Sequence, residues 1–418
     1  MTLVCGLDFG TSNSTIARRD SGGVPQLLKL EDGRETIPSV IFFGFEDDSI
    51  HFGRQAVAEY VTGAEGRLMR SLKSVLGTSL IGDTTRVKAR SYGFIDILGI
   101  FIAELKRRAE AELGGEVDTV VCGRPVHFVD DDPVADAAAQ SQLEGAVRAQ
   151  GFRHVDFQFE PIAAALDYER QVRSEKLALI VDLGGGTSDF TVIRVSPERA
   201  RAVDRSQDIL STAGVHVGGT DFDRLLSMGK VMPELGLGTM TTDGKRHLPV
   251  APYYDLSTWH RINRLYNAQT LRDLRGTQRE ARSPERVEMM IELIEDRLGH
   301  RLVGAVEEAK IALSDAEATN FGFAVRDRRI ETVMTKADLT KALRQSVERI
   351  ETTIAETLRR AGIATRAIDS LILTGGSTQV PVIAARLRAL FPEADLVRTD
   401  VLGSVGLGLA MDASRKFG

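Results

Sequence analysis

Apolar and polar positions alternate in short bursts along this chain. Residues 3–7 form a brief apolar stretch that stops at Asp8-Phe9-Gly10-Thr11-Ser12, and residues 177–181 form another that stops at Asp182-Leu183-Gly184-Gly185-Gly186-Thr187-Ser188. Each is followed by a second strand-like run, at 14–17 and 190–195. Both therefore read as strand, glycine turn and return strand. Two ordinary hairpins fit this pattern, but shared D-x-G and G-T-S elements at an offset of 174 residues point to a duplicated lobe.

Spacing of three and four predicts helices over 99–113, 136–150 and 161–173, the last with Pro161 at its first turn, and a strand lies over 119–122. Gly218-Gly219-Thr220-Asp221 caps a helix from Phe222. Residues 233–282 are the least legible, glycine-rich and then basic, with Trp259 and scattered tyrosines. Ser283 then offers an N-cap, Pro284 the first helical position and Glu285 a charge suited to the dipole. Val287, Met290, Ile294, Leu298, Leu302, Val306, Ala309 and Leu313 continue at helical spacing, predicting one long helix to Ser314. A strand over 371–373 ends in Thr374-Gly375-Gly376-Ser377-Thr378, with a helix from Pro381. The order is mixed α/β, with glycine turns at the carboxyl ends of strands, where open α/β sheets bind ligands.

Composition narrows the classes. The 418 residues carry 53 basic and 59 acidic side chains, a net charge of −6, with 43% hydrophobic residues and two cysteines. That is too apolar and too balanced for a disordered chain, and too poor in cysteine for a disulfide scaffold, so a reducing compartment is expected. A pI of 5.8 argues against nucleic-acid binding by whole-domain charge. The start carries no basic leader, and the longest apolar run, 95–105, is about half of the roughly twenty residues a membrane span needs. The expectation is a soluble, cytoplasmic protein with neither a nucleic-acid nor a membrane partner.

Several familiar chemistries are missing. The chain has no P-loop, no H-E-x-x-H, no zinc spacing and no G-x-S-x-G elbow, and a G-x-G at Gly406 and Gly408 finds Met411 at the third glycine position. Three glycine turns remain: Gly10-Thr11-Ser12, Gly184-Gly185-Gly186-Thr187 and Gly375-Gly376-Ser377. Each can turn backbone N–H groups toward an anion, and together they suggest a polyphosphate held between two lobes. Asp8, Asp182 and Asp189 would then oppose phosphates, which requires a hydrated Mg²⁺ between them; singly, each Asp also reads as a turn residue capping its own backbone. Glu160, held at a helix start by Pro161 and three alanines, reads either as a helix-favouring acid or as a carboxylate that orients water or Mg²⁺. Glu307, Lys310 and Ser314 share one helix face, which by itself reads as solvated.

As a set, these residues resemble the ATPase domain of the DnaK-type heat-shock protein 70 family, in its short, YegD-like branch. The resemblance implies the two-lobed actin-like ATPase fold, an α/β fold of duplicated ribonuclease H-like domains with a nucleotide cleft. It runs from about Leu3 to Ala413. The carrying segments are Leu7 to Ser14 with Asn13, Glu160 to Ala165, Asp182 to Asp189, Gly218 to Asp223, Glu307 to Ser314, Gly375 to Pro381, and Asp400 with Gly406. The resemblance implies lobe I over about 1–174 (core 1–33 and 114–174, insert 34–113), lobe II over about 175–392 (core 175–224 and 316–392, insert 225–315), and a segment 393–418 returning to lobe I. It further implies ATP/ADP and Mg²⁺ as ligands. Gly10, Thr11, Ser12, Gly185, Gly186 and Thr187 would sit on the phosphates, and Lys73 would neutralise the γ-phosphate. Asp8, Asp182 and Glu160 would organise the metal and the attacking water, with Asp189 in an outer sphere. Glu307, Lys310 and Ser314 would hold ribose and adenine. Two arginines that sandwich adenine in the family are Ile311 and Gln379 here, implying rebuilt base stacking. The family's switch proline maps to Pro125, while the relay arginine eight residues later is Pro133.

The sequence stops at Gly418, just after the resemblance ends, so the expectation is a chaperone-like, slow ATPase without a peptide-binding domain, with protein clients or exchange factors as unidentified partners. A nucleotide-gated binding module with negligible turnover, an actin-like filament ATPase and a sugar kinase stand beside it.

Overall fold

The computed structural model describes residues 3–20, 22–129, 131–398 and 403–417. Its organising feature is a pair of matching sheets. In the N-terminal half the strands run in the order Pro25–Leu27, Asn13–Arg19, Leu3–Phe9, Val117–Arg124 and His154–Phe159. The first three are antiparallel and the last two continue parallel to Leu3–Phe9. In the C-terminal half the order is Ile209–Val215, Ser188–Val195, Lys176–Leu183, Ser370–Thr374 and Asp395–Arg398, with the same directions. The registers match as well. Phe9 faces Ser14 and Leu183 faces Ser188, so both hairpins close through four-residue loops at the same 174-residue offset.

Each sheet's last strand leads into a helix that covers the other sheet. His154–Phe159 runs directly into the helix Glu160–Glu169, whose Ile162, Ala165 and Tyr168 pack against Ala178, Ile180, Ile193 and Ile372 of the C-terminal sheet. The helix Ser404–Phe417 lies on the N-terminal sheet, so close that a Cβ on Gly6 would stand 2.3 Å from the Ala410 nitrogen. The two helices cross where a Cβ on Gly408 would stand 1.9 Å from the Ala163 carbonyl oxygen. Only small residues permit such a crossing. The run Ala163-Ala164-Ala165 is thereby explained: it packs against a second helix, the one at the end of the chain.

Two helix expectations need correction. Residues 283–314 form two helices, Pro284–Glu295 and Gly299–Asp315. The first ends with Leu298 N–H bonded to Leu293 O at 2.9 Å and Arg297 N–H bonded to Ile294 O at 3.1 Å, with Arg297 at φ +53°. This is a Schellman stop built on arginine rather than the usual glycine. The apolar spacing passes through it unbroken, so the break left no sequence signal. The helix from Glu160 ends at Glu169, short of Arg173, although Val172 continues the apolar pattern and is buried with that helix's core. Among the described residues no helix is long and apolar enough to cross a membrane.

The halves meet again through rings. Tyr60, on the helix Gly53–Val61, stacks edge-on against His300 with centroids 4.7 Å apart, and His300 meets Trp259 at 4.8 Å. Arg70 lies over the Trp259 ring at 5.2 Å. The His300 Nε2–H donates to the Trp259 carbonyl at 3.2 Å. Burial drives the His300 pKa down to about 4, a fall that this bond opposes and Arg70 reinforces. A histidine whose folded pKa lies below its unfolded value contributes stability that is present above about pH 6.5 and is lost as pH falls toward 4. His300→Gln is therefore expected to remove about 2 kcal/mol of the stability change between pH 6.5 and pH 5. Urea denaturation at both pH values checks this, and an unchanged pH dependence refutes it.

Candidate functional site

The two hairpin loops face each other. A Cβ built on Gly185 would stand 2.6 Å from Ser12 Oγ. The first loop is held from behind by Ser39, whose N–H donates to Ser12 O at 2.9 Å and whose hydroxyl donates to Gly10 O at 2.7 Å. The second loop is held by Gly219 N–H and the Ser377 hydroxyl, both at 3.0 Å from Gly184 O, and by Thr220 N–H and Oγ1 at 2.8 Å from Gly185 O. The supporting donors thus take the loop carbonyls. Among the described residues, the N–H groups of Thr11, Ser12, Gly185, Gly186 and Thr187 have no hydrogen-bond acceptor. Unpaired N–H groups on facing loops make an anion cradle. Gly218 and Gly375 shape its rear: Gly375 sits at φ +79°, where a Cβ would strike the Leu183 carbonyl and stand 2.7 Å from Asp182 Oδ1.

A charged cluster lies beside the loops. Asp8 and Asp182 occupy equivalent positions on their strands, each next to the loop. Lys73 reaches them from the turn Leu72–Val75 and forms an ion pair with Glu160, at the N-terminus of the Glu160–Glu169 helix. Burial raises the Asp8 carboxyl to about 7, with Glu160 and Asp182 adding to the rise and Lys73 opposing it. Burial also raises Asp182 to about 6, with Glu160 adding and the Thr374 hydroxyl and Lys73 opposing. For Lys73, burial works downward, but Glu160, Asp8 and Asp182 outweigh it and hold its pKa above the ordinary lysine value. Three carboxylates against one ammonium leave an excess of negative charge next to a cradle that wants an anion.

A cavity of about 50 Å³ extends from this cluster, lined by Glu160, Asp182, Asp189 and Thr374 with Pro125 and His127. Asp182 faces Asp189 across the hairpin and Thr374 across the parallel pair, so all three share one face of the sheet. Oxygen donors alone suit a hard cation such as Mg²⁺. Among the described residues, however, no three His, Cys, Asp or Glu side chains converge to hold a metal ion. Asp8, Asp182 and Glu160 therefore do not together form a three-carboxylate ligand set.

The remaining expected residues are distributed unevenly. Lys310 is buried and paired with Asp223 at 2.7 Å, its ammonium also donating to Gly219 O at 3.3 Å. This overturns the solvated-face reading at that position, while Glu307 stays exposed and Ser314 half-buried. Ile311 is 59% exposed, a large apolar side chain open to solvent beside Lys310, and Gln379 is exposed as well. Pro133 opens the helix Pro133–Ala149 at its first position, behind Asp132, which caps Val134 and Ala135 N–H. Asp400 lies outside the described residues. Sequence reasoning gave no role to Ser39, Thr374 or Asp223. Asp223 stood within a quoted motif, but only the tertiary pairing reveals Lys310 as its partner.

Comparison with known proteins bears on these features. The sequence model described as "Hsp70 protein" matches residues 4–230 and 284–414. The chain is 25% identical over 432 residues to a "Chaperone protein HscA homolog" of Shewanella sp. (strain MR-4), covering 98% of this chain and 58% of that protein. It is 26% identical over 414 residues to a "Chaperone protein DnaK" of Thermosipho melanesiensis, covering 98% and 59%. A "Chaperone protein DnaK" of Thermotoga neapolitana is also 26% identical, over 421 residues, covering 99% and 59%. The chain thus spans just under three-fifths of the length of these curated relatives. Trp259 and Tyr266, in the ring cluster, fall between the two matched segments.

Proposed function

The chain belongs to the Hsp70 family and has its two-lobed, actin-like ATPase fold, and from that premise we propose that it binds ATP with Mg²⁺ between its lobes and hydrolyses it slowly. The observation that carries the reading is the pair of facing loops with unpaired N–H groups, set against the Lys73–Glu160 ion pair between Asp8 and Asp182. Lobe I comprises about 1–174 and lobe II about 175–392; the expected return of 393–418 to lobe I needs a later start, because Asp395–Arg398 is still a strand of the C-terminal sheet and only the helix Ser404–Phe417 lies on the N-terminal one.

The loop N–H groups of Thr11, Ser12, Gly185, Gly186 and Thr187 hold the β- and γ-phosphates. Mg²⁺, when bound, offsets phosphate charge. Lys73 places an ammonium beside the γ-phosphate and transfers part of its pairing from Glu160 to phosphate oxygen. Glu160 then orients the attacking water and accepts its proton, and Asp8 and Asp182 are the residues that would hold Mg²⁺ through water. Positioning and charge neutralisation supply most of the acceleration in such reactions. Glu307 and Ser314 take the ribose side, with Lys310 held in place by Asp223. Protein clients or an exchange factor complete the chaperone-like role.

A second reading, a nucleotide-gated binding module with negligible turnover, is favoured by exposed Ile311 and Gln379, neither of which supplies a guanidinium to stack on a base. Calorimetry with ATP, ADP and GTP, with and without Mg²⁺, tests the site. The expected result is binding of ATP and ADP that strengthens with Mg²⁺. Absence of nucleotide binding overturns the proposal, and binding without any phosphate release in a parallel assay selects the module.

A further inference from the structure

The crossing helices have two ends. Their N-terminal ends, Glu160, Pro161 and Val405, line the cavity beside the carboxylates. Their C-terminal ends open onto a second, larger cavity of about 400 Å³. Four arginines line it: Arg19 from the N-terminal sheet, Arg170 just after the Glu160–Glu169 helix, Arg201 from the C-terminal half and Arg415 from the Ser404–Phe417 helix, with Arg19 and Arg201 exposed to solvent. Among the described residues its carboxylate is Asp412, fully buried and already shared by Arg415 and Lys416. The apolar walls include Pro25, Leu166 and Met411.

The charges are incompletely used. Arg19 spends Nε on Gly23 O at 2.7 Å, and its terminal amines find no described acceptor. Arg201 has no hydrogen bond or ion pair from its guanidinium among the described residues, and its side chain is exposed. Arg415 donates to Ala200 O at 2.9 Å and pairs with Asp412, but its Nε is buried without a partner. Arg170 has an interaction of its own. Cations at helix C-termini offset the helix dipole, which accounts for Arg170 and Arg415. It does not account for Arg19 and Arg201, which come from a strand and a short turn and line the same cavity. In a chain of net charge −6, four arginines beside one cavity with largely apolar walls are a local excess of basic residues.

The geometry points to a second, anionic ligand site here, distinct from the loop cradle, that takes a small multivalent oxyanion, phosphate- or carboxylate-bearing. Guanidinium forks match both oxyanions in geometry and gain charge-assisted hydrogen bonds from each. The bound anion would tie Arg19 of one half to Arg201 of the other, across the C-terminal ends of the helices that join them.

The test is calorimetric titration of the whole protein, saturated with ADP and Mg²⁺, using pyrophosphate in one arm and citrate in the other. A single binding event per chain is expected in at least one arm, and the arm that binds identifies the oxyanion class. The affinity should fall steeply with salt. Arg201→Ala should weaken it about tenfold, the scale of one charge-assisted contact. The double variant Arg19→Ala/Arg201→Ala should abolish it while ADP binding, which also reports folding, stays intact. Binding of neither anion, or binding that survives the double variant, overturns the site. Should ADP itself fail to bind, the titrations without ADP still decide, because both arginines lie outside the loop cradle.

Discussion

Lys73→Ala is expected to lower ATP turnover by a factor of about 10² to 10³, the usual effect of removing one preorganised electrostatic partner of a transferring phosphoryl group. The physical reason lies in the cluster's charge balance. Lys73 is the cation paired with Glu160, and it also faces Asp8 and Asp182. Without it, three carboxylates confront the phosphates with only the metal to offset them. Asp182→Asn is expected to reduce turnover comparably while leaving ADP binding measurable, since the loop N–H groups remain. Single-turnover phosphate release, read beside an unfolding curve for each variant, separates lost chemistry from lost fold. Wild-type turnover in both variants would falsify the assignment of this cluster to catalysis.

The largest stability effect is expected away from the cleft. Arg205 and Glu169 are both fully buried, and Arg205 donates from Nη1 and Nη2 to the two Glu169 oxygens at 2.9 and 2.7 Å. Arg205 Nε also pairs with Asp208, which Arg199 holds from the other side. Removing one member of a buried pair strands the other without solvent. Arg205→Ala is therefore expected to cost about 3–5 kcal/mol. Arg199→Ala, at a more exposed position, should cost under about 1 kcal/mol. Urea denaturation of the two variants makes the comparison, and equal losses would refute it. Glu169 is the last residue of the helix that begins with Glu160. The Arg205 variant should therefore also impair turnover in whatever fraction stays folded.

Legibility in the sequence followed locality. The hairpins were readable because a D-x-G turn and its return strand lie within a few residues, and repetition at a fixed offset marked them as related. The alanine run after Glu160 allows its helix to pack closely on another element, without saying which. Its partner, the glycines at 406 and 408, reads locally as a failed dinucleotide motif, and Gly406 enters otherwise only through the family resemblance, because nothing local says which distant helix will arrive. The stop at Arg297 was invisible for a different reason: an arginine took a backbone conformation that glycine usually marks. Lys73 stood out only through family resemblance. A lone lysine in a turn has no pattern, and its meaning comes from the three carboxylates that the fold gathers around it.

The sequence by itself determined the two hairpins, their duplication, the glycine loops between their strands and several of the helices, because these depend on interactions among near neighbours. Only the tertiary structure decided which charges face one another. It set Lys73 against Glu160, spent Lys310 on Asp223, locked Arg205 to Glu169, and left Arg19 and Arg201 around an open cavity. The physical reason is that an ion pair's effect depends on burial and on a separation of a few ångströms, and neither quantity exists until distant segments have packed.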